Sequence, residues 1–197
     1  MDSIQDNATR KAALRQAALA RRDALDSDAR SSGSAAIAER ALALVIAAKP
    51  NVVAGYWPIR SEVDPRHLME RLRREGIDLA LPRIFDRREL RFLFWDSESA
   101  LAAGVFGLSE PVSHASEVRP DVILTPLAGF DRAGHRIGYG KGYYDKAIAG
   151  LLAGGQRPQL IGLAFSVQEV TEIPAEPHDM RLDWIVTERE TLDFVKT

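Results

Sequence analysis

Long segments with helical spacing of apolar residues alternate along the chain with short apolar runs that are typical of buried strands. Two helices are predicted at residues 8–25 and 27–48. A third starts at the Asp64–Pro65 step, where aspartate can cap and proline can take the first helical position, and it ends at Gly76. A fourth is predicted at 143–152. Strands are predicted at residues 52–57, 77–82, 90–95, 121–127, 159–165 and 183–187.

This alternation predicts an α/β fold with a single-domain, three-layer, open and mainly parallel sheet and helices on both faces, as in Rossmann-like proteins. The run at 90–95 is expected at an edge, and 106–111 is expected to be a structural loop. No internal repeat, low-complexity tract or linker divides the sequence. One domain is therefore expected over residues 1–197, with residues 1–7 frayed.

Composition narrows the possible functions without naming one. The net charge of −2 gives no reason to expect a nucleic-acid partner. The absence of cysteine removes disulfides, thiolate catalysis and cysteine metal sites. No apolar run is long enough to span a bilayer, and the first residues lack the apolar core of a signal peptide. We therefore expect a cytoplasmic monomer with small-molecule partners and no membrane partner.

The segment Gly129–Asp145 connects a predicted strand to a predicted helix and carries the strongest candidate chemistry. Its sequence is Gly-Phe-Asp-Arg-Ala-Gly-His-Arg-Ile-Gly-Tyr-Gly-Lys-Gly-Tyr-Tyr-Asp, in which alternate glycines bracket Lys141. Exposed backbone N–H groups just before a helix form a site for an anion such as phosphate. The P-loop pattern is absent because Gly142 follows the lysine, and the dinucleotide pattern is absent because Tyr143 replaces its third glycine. A purely structural glycine turn is the alternative.

This segment resembles the signature of the 5-formyltetrahydrofolate cyclo-ligase family, also called methenyltetrahydrofolate synthetase. The similarity extends in order from Lys11 to Asp183 and includes Tyr56–Asp64 and the run His178-Asp-Met-Arg-Leu-Asp. The resemblance implies an enzyme that uses ATP and Mg²⁺ to convert 5-formyltetrahydrofolate into 5,10-methenyltetrahydrofolate, with release of ADP and phosphate. In that reaction the formyl oxygen attacks the γ-phosphate and N10 then closes the ring. Tyr139 departs from some members, which carry arginine there.

The resemblance also implies roles for individual residues, with Lys141 as the catalytic group. ATP would be bound by Lys11, Arg15, Arg136, Ile137, Gly138, Tyr139, Gly140, Lys141, Gly142, Tyr143 and Tyr144. The folate would be bound by Trp57, Glu62, Tyr139, Gly140, Lys141, Gly142 and Tyr143, and Mg²⁺ by Asp145 and Asp179. Arg21 and Arg22 are weaker candidates for nucleotide contacts.

Each assignment has a simpler structural alternative. Lys11 and Arg15 lie four residues apart and would also suit a solvated helix face. Glu62 could be a solvated loop carboxylate, and Trp57 a half-buried core residue. Asp145, in the first turn of a helix, would stabilise that helix by about 0.3–1 kcal/mol. Three other functions also remain open: another ATP-dependent ligase or kinase, a non-catalytic folate- or nucleotide-binding regulator, and a structural α/β module.

Overall fold

The computed structural model describes residues 2–96, 101–104, 109–176 and 179–195, with side chains from Asp6 onward. Its helices are α1 (Asp2–Asp23), α2 (Ser27–Ala47), α3 (Arg66–Arg74) and α4 (Tyr143–Ala153), with a 3₁₀ turn at Ser166–Gln168. Its strands are β1 (Val52–Ala54), β2 (Asp78–Phe85), β3 (Glu89–Phe94), β4 (Leu101–Ala103), β5 (Ser109–Pro111), β6 (Val122–Pro126), β7 (Gly129–Phe130), β8 (Arg136–Ile137), β9 (Gln159–Leu163), β10 (Trp184–Val186) and β11 (Thr191–Asp193).

Seven strands form one sheet in the order β11-β10-β9-β6-β1-β2-β3. The five inner strands are parallel, and the edge strands β3 and β11 are antiparallel to their neighbours. The hairpins β4–β5 and β7–β8 are separate two-stranded sheets. The predicted α/β fold with a mainly parallel sheet is confirmed, as is the edge position of the strand near residues 90–95.

Alternate residues of the inner strands face two separate cores, as period-2 geometry requires. Val53 and Leu124 belong to the core that α2 and α3 cover. Ala54 and Ile123 belong to the core on the other face, where Ile148 of α4 packs. Helices therefore cover both faces of the sheet, which makes the fold a single-domain, three-layer α/β structure.

Helix α1 packs against the segments that leave the carboxyl ends of β6 and β9. Its Ala18 is fully buried in a small cluster with Ile137, Val170 and Ile173. A Cβ atom on Gly129 would lie 3.2 Å from the Cβ of Ala18, so this glycine allows a close approach between β7 and the helix. This packing places α1 at the sheet edge where ligands bind in open α/β folds. Among the described residues, no helix is long and apolar enough to cross a membrane.

The structure corrects several predicted boundaries. Helix α1 begins at Asp2, although residues 1–7 were expected to be frayed, because a nucleated helix can extend through polar residues at little cost. Strand β1 ends at Ala54 rather than at residue 57. Helix α3 starts one residue later than predicted, with Pro65 at the cap and the Asp64 carboxylate accepting from the Arg66 N–H.

Two more differences concern short strands. The segment 129–145 was predicted as a loop but contains the β7–β8 hairpin, which the Asp131 carboxylate closes by accepting from the N–H groups of Ala133 and His135. The strand near 183–187 is not the last, because β11 follows it and pairs back on it. The predicted loop 106–111 is described only from Ser109, which begins β5, and residues 106–108 lie outside the described residues.

Candidate active site

The glycine loop, residues 138–142, connects β8 to the amino end of α4. Gly140 and Gly142 have φ values of 87° and 65°, which side-chain-bearing residues rarely adopt, so these two glycines set the path of the loop. Arg15 of α1 lies across the loop, and its Nε donates to the carbonyl oxygen of Gly138 at 2.7 Å. Lys141 is exposed at the start of α4, where free backbone N–H groups also favour an anion. The loop therefore presents the features of a phosphate site.

The segment that carries Asp179 lies next to Asp145, beside this loop. Asp145 Oδ1 accepts from Arg136 Nη2 at 2.9 Å and from the backbone N–H of Met180 at 3.2 Å. Arg136 Nη1 also donates to the carbonyl oxygen of Met180 at 2.9 Å. Since Met180 directly follows Asp179, these bonds bring the backbone of residues 179–180 next to Asp145, while the Asp179 carboxylate itself accepts from Lys11 Nζ and the Glu176 N–H. The sequence alone could not show that the segments carrying the two aspartates are neighbours.

Lys11 is engaged by carboxylates rather than free for a nucleotide. Its Nζ lies 2.6 Å from Glu176 Oε2 and 2.7 Å from Asp179 Oδ2. Burial lowers the pKa of Lys11, but the hydrogen bonds to Asp179 and Glu176 outweigh it, so the pKa lies above its ordinary value. The Glu176 N–H donates to Asp179 Oδ2 at 2.8 Å, which fixes the segment carrying both carboxylates. A phosphate at this place would have to share Lys11 with them.

The two aspartates could supply only some of the ligands that a hard divalent cation needs. Mg²⁺ often binds one or two protein carboxylates and completes its shell with water and phosphate oxygens. Both hydrogen bonds of Asp145 described above use Oδ1, so its Oδ2 lies outside them. Within the described part of the chain, no group of three or more histidine, aspartate or glutamate side chains is arranged to hold a metal. The donor set therefore fits a cation that depends on phosphate oxygens for much of its shell.

Glu62 occupies a buried position at the end of the segment that follows β1. Its side chain is 8% exposed, and Oε2 accepts from the Ile59 N–H at 2.9 Å. Burial raises the pKa of Glu62. The hydrogen bond with Ile59, the Tyr139 hydroxyl and the charges of Arg22 and Arg60 lower it by a smaller amount, so the pKa lies above its ordinary value. A solvated loop carboxylate is therefore the wrong description of this residue. The carboxylate lines a cavity of about 340 Å³ together with Arg30, Ser31, Ser34, Ala35, Asp64 and His67.

Trp57 is half-buried near the same segment. Its ring meets Trp95 edge-on, with centroids 6.0 Å apart and an interplanar angle of 73°. The Arg66 guanidinium lies 5.3 Å from the ring centroid, within cation–π range. A flat ligand ring stacking on that face would therefore have to displace Arg66 or use the opposite face.

The predicted ATP-binding residues around the loop differ in what their side chains can reach. Tyr139 is 37% exposed, and its hydroxyl accepts from Arg22 Nη2 at 3.1 Å. The Tyr143 hydroxyl donates to the carbonyl oxygen of Arg87 at 2.8 Å. The side chain of Ile137 is buried beneath α1, and that of Tyr144 packs edge-on against Phe92, so both contribute to cores. Burial raises the pKa of Tyr144.

Three polar residues of the site were missed or misjudged from the sequence. Arg22, a weak candidate for a nucleotide contact, is instead 1% exposed and donates to Ser61 Oγ at 3.0 Å. Ser61 and Glu176 carried no motif signal. The partners of these residues are distant in sequence, so only the tertiary structure could identify them.

Comparisons with known proteins show which family this chain resembles. A model of the 5-formyltetrahydrofolate cyclo-ligase family matches residues 7–188. The Escherichia coli (strain K12) 5-formyltetrahydrofolate cyclo-ligase is 32% identical over 143 residues, which is 70% of this chain and 78% of the relative. The Saccharomyces cerevisiae enzyme of the same name is 31% identical over 186 residues, covering 83% and 88% of the two chains.

Solved structures show the same similarity. The structure of Aquifex aeolicus 5,10-methenyltetrahydrofolate synthetase matches with a TM-score of 0.80 and 31% identity, covering 94% of this chain and 93% of that one. A 5,10-methenyltetrahydrofolate synthetase from Mycoplasma pneumoniae matches with a TM-score of 0.73 and 28% identity, covering 90% and 98% of the two chains. A match over nearly the whole chain, in sequence and in fold, shows that this protein belongs to the 5-formyltetrahydrofolate cyclo-ligase family of enzymes.

Proposed function

We propose that this enzyme uses ATP and Mg²⁺ to convert 5-formyltetrahydrofolate into 5,10-methenyltetrahydrofolate, ADP and phosphate. One observation carries the proposal: Arg22 Nη2 donates to the hydroxyl of Tyr139 in the glycine loop at 3.1 Å, and its Nε donates at 3.0 Å to Ser61 Oγ, in the residue directly before Glu62. The predicted phosphate-binding loop and the segment that carries the predicted folate carboxylate are thereby neighbours. A reaction that joins a formyl oxygen to a γ-phosphate requires such proximity.

The chemistry consists of two displacements. The formyl oxygen attacks the γ-phosphorus, the bond from that phosphorus to ADP breaks, and an imidate-type phosphate forms. N10 then attacks the activated carbon, its proton is lost, and the carbon–oxygen bond breaks to release phosphate. No protein nucleophile is needed, so the protein contributes positioning and charge stabilisation.

Lys141 and the backbone of the glycine loop would stabilise the charge on the transferring phosphoryl group. Their support comes from the exposed position of Lys141 at the amino end of α4 and the loop conformation set by Gly140 and Gly142. Arg15, Lys11 and Arg136 would bind the remaining phosphates. Since Lys11 and Arg136 already pair with carboxylates, ATP would take over part of these contacts rather than meet free cations.

Asp145 and Asp179 would hold the magnesium ion. When bound, the ion would supply positive charge to the β- and γ-phosphate oxygens. Binding it would also weaken the pairing of these aspartates with Arg136 and Lys11, which would then be available to the nucleotide.

Glu62 would bind the pterin end of the folate. A carboxylate can accept hydrogen bonds from both the amino group and the adjacent ring N–H of a pterin, and such charge-assisted pairs are among the stronger hydrogen bonds. The cavity beside Glu62 and the nearby ring of Trp57 provide space and an aromatic surface for a flat ring system.

The proposal is tested by mixing purified protein, 5-formyltetrahydrofolate, ATP and Mg²⁺ and following the near-ultraviolet absorbance of methenyltetrahydrofolate. We expect the band to grow only when all components are present. No band from folded protein would contradict the proposal. Calorimetry with ATP and folate separately would then distinguish a non-catalytic binder, which binds without turnover, from an enzyme with another substrate, which binds ATP alone.

A further inference from the structure

Arg22 is an unusually buried charge for a residue near the end of a surface helix. It is 1% exposed, and its Nε and Nη2 donate to hydroxyl groups, Ser61 Oγ at 3.0 Å and the Tyr139 hydroxyl at 3.1 Å. Within the described residues its nearest carboxylate is Asp23, 3.9 Å from Nε and itself 58% exposed. Buried arginines usually form close pairs with carboxylates, because desolvating a guanidinium is costly. Arg22 lacks such a pair.

The third nitrogen of the guanidinium increases this cost. Arg22 Nη1 is buried and, among the residues that the structure describes, no hydrogen-bond acceptor reaches it. A buried donor without an acceptor keeps the full cost of its desolvation, and an apolar side chain of similar size would avoid that penalty. Stability alone therefore does not account for an arginine here.

The hydrogen-bond pattern around Tyr139 indicates what the arginine does. The Tyr139 oxygen accepts a hydrogen bond from Arg22, and a phenol carries a single proton. That proton therefore points away from Arg22 and is available to the Glu62 carboxylate, whose charge acts on the hydroxyl. Burial and the charge of Glu62 raise the pKa of Tyr139 to about 12, so the proton stays on the phenol at neutral pH. Arg22, the Tyr139 hydroxyl and Glu62 thus form a chain in which the hydrogen bond from Arg22 to Tyr139 has a defined direction, and Arg22 Nε also holds Ser61, the residue that precedes Glu62.

The charge of Arg22 also acts on Glu62 directly. Burial raises the pKa of Glu62, and the positive charge of Arg22 opposes that rise. Each element around this carboxylate contributes other titratable or charged groups. They are Arg30 of α2, Tyr56, Arg60 and Asp64 of its own segment, His67 of α3, Tyr139 of the glycine loop and Tyr144 of α4. Arg22 is the one that both contributes a positive charge and orients a hydrogen-bond donor toward Glu62.

We propose that Arg22 is a positioning residue of the folate site, whose buried guanidinium orients the Tyr139 hydroxyl and keeps Glu62 as a carboxylate that can accept the N–H groups of a pterin. The inference rests on the proposed function, since it assigns Glu62 to the folate. It adds a residue from α1 that acts on the substrate only through Glu62 and Tyr139.

The kinetic test compares Arg22→Met, which removes the charge, with Arg22→Lys, which keeps it. In Arg22→Met we expect the KM for 5-formyltetrahydrofolate to rise about tenfold, with the KM for ATP little changed, because a charge-assisted contact is weakened. The acid limb of the pH profile, the fall of kcat/KM at low pH, should move to higher pH, because less positive charge opposes protonation of Glu62. Arg22→Lys should return the acid limb toward its original position. Arg40→Met, at an exposed position of α2, is the control for charge removal.

A folded Arg22→Met protein whose acid limb and folate KM match those of the unchanged enzyme would overturn the inference, whatever its stability. If Arg22→Met does not fold, Tyr139→Phe decides, because it removes the hydroxyl link and leaves the guanidinium. It should raise the folate KM and move the acid limb upward, and an unchanged profile would refute the chain.

A measurement without substrate separates this inference from the proposed function. The Glu62 carboxyl carbon is titrated by NMR in ¹³C-labelled free protein, with Glu62→Gln to assign its signal. Arg22→Met should raise the Glu62 pKa, and an unchanged titration would overturn the inference. If the unchanged protein makes no methenyltetrahydrofolate, the proposed function fails, while this titration still tests the link between Arg22 and Glu62.

Discussion

The proposed phosphate half of the site, formed by Lys11, Arg136, Lys141, Asp145 and Asp179, neutralises its charges differently from the proposed folate half around Glu62 and Arg22. In the phosphate half, oppositely charged side chains contact each other directly, at 2.7 Å for Lys11–Asp179 and 2.9 Å for Arg136–Asp145. The two aspartates are each 24% exposed, so water and ligands reach them. In the folate half, the opposite charges are buried, and the Tyr139 hydroxyl interacts with both.

This difference indicates how each half would respond to its ligand. Ion pairs that water reaches are individually weak, so ATP and a metal can exchange their partners at modest cost. A buried carboxylate cannot rearrange as cheaply, because leaving it without partners is strongly unfavourable. The phosphate half is therefore suited to redistribution of charge during the reaction, and the folate half to fixed recognition. Four predictions, made with three substitutions, test this contrast.

The largest effect is expected for Lys141→Ala. Removing a cation aimed at a transferring phosphoryl group should lower kcat by about 10³ or more, because the charge is needed most in the transition state. The side chain is exposed, so circular dichroism and the melting temperature should not change. The matched control is Lys146→Ala, which removes an exposed lysine from the first turns of α4, five residues further on. Turnover that falls equally in both variants, or in neither, would remove Lys141 from its assigned role.

A smaller loss is expected for Glu62→Gln. Replacing a charged acceptor by a neutral amide should reduce kcat/KM for 5-formyltetrahydrofolate by about 10², since hydrogen bonds to charged groups contribute about 1.5–3 kcal/mol. The KM for ATP should change little. In the unchanged enzyme, kcat/KM should fall on acidification at a pH above the ordinary carboxyl range, because burial raises the pKa of Glu62. Glu62→Gln should lose this acid limb, and a retained limb would assign it to another group.

The third change addresses the metal. Asp179→Asn should shift the midpoint of the Mg²⁺ titration of turnover upward by about tenfold, the lower end of the effect seen for residues that support a metal site. Glu176→Gln is the sharper comparison, because Glu176 shares Lys11 with Asp179 but is not proposed as a ligand. A shift of equal size in both variants would mean that Asp179 acts through Lys11 rather than on the metal, and no shift would remove it from the site.

The conformation of the glycine loop could be predicted from the sequence more readily than the arrangement around Glu62, for a physical reason. Alternating glycines around a lysine leave a local signature, because a loop that exposes backbone N–H groups needs residues that adopt positive φ. The α/β layers were likewise predictable from apolar periodicity. Short polar strands such as β11 were not, because pairing with β10 rather than propensity creates them.

Burial of Arg22 depends on contacts that no local pattern contains. Its two hydroxyl partners, Ser61 and Tyr139, are 39 and 117 positions away in the chain. From the sequence, an Arg-Arg pair on a helix is typical of a solvated face. Similarly, Lys11 pairs with Glu176, which lies 165 positions away in the chain. A basic helix residue that was expected to contact a nucleotide is therefore already paired with a carboxylate.

The smallest effect concerns stability and uses the same Glu62→Gln variant. Because burial raises the pKa of Glu62, the folded protein binds more protons than the unfolded chain between the two pKa values. Stability of the unchanged protein should therefore fall as pH rises through that window and stay lower above it. Glutamine does not ionise, so the variant should be more stable at pH 7 by about 0.5–2 kcal/mol, as is common when a functional strain is relieved. Below the window this ionisation advantage should vanish, which urea unfolding at two pH values would measure. A variant less stable at pH 7 would mean that attraction between Arg22 and Glu62 outweighs desolvation, and the folate half would then be held together by its charges, as the phosphate half is.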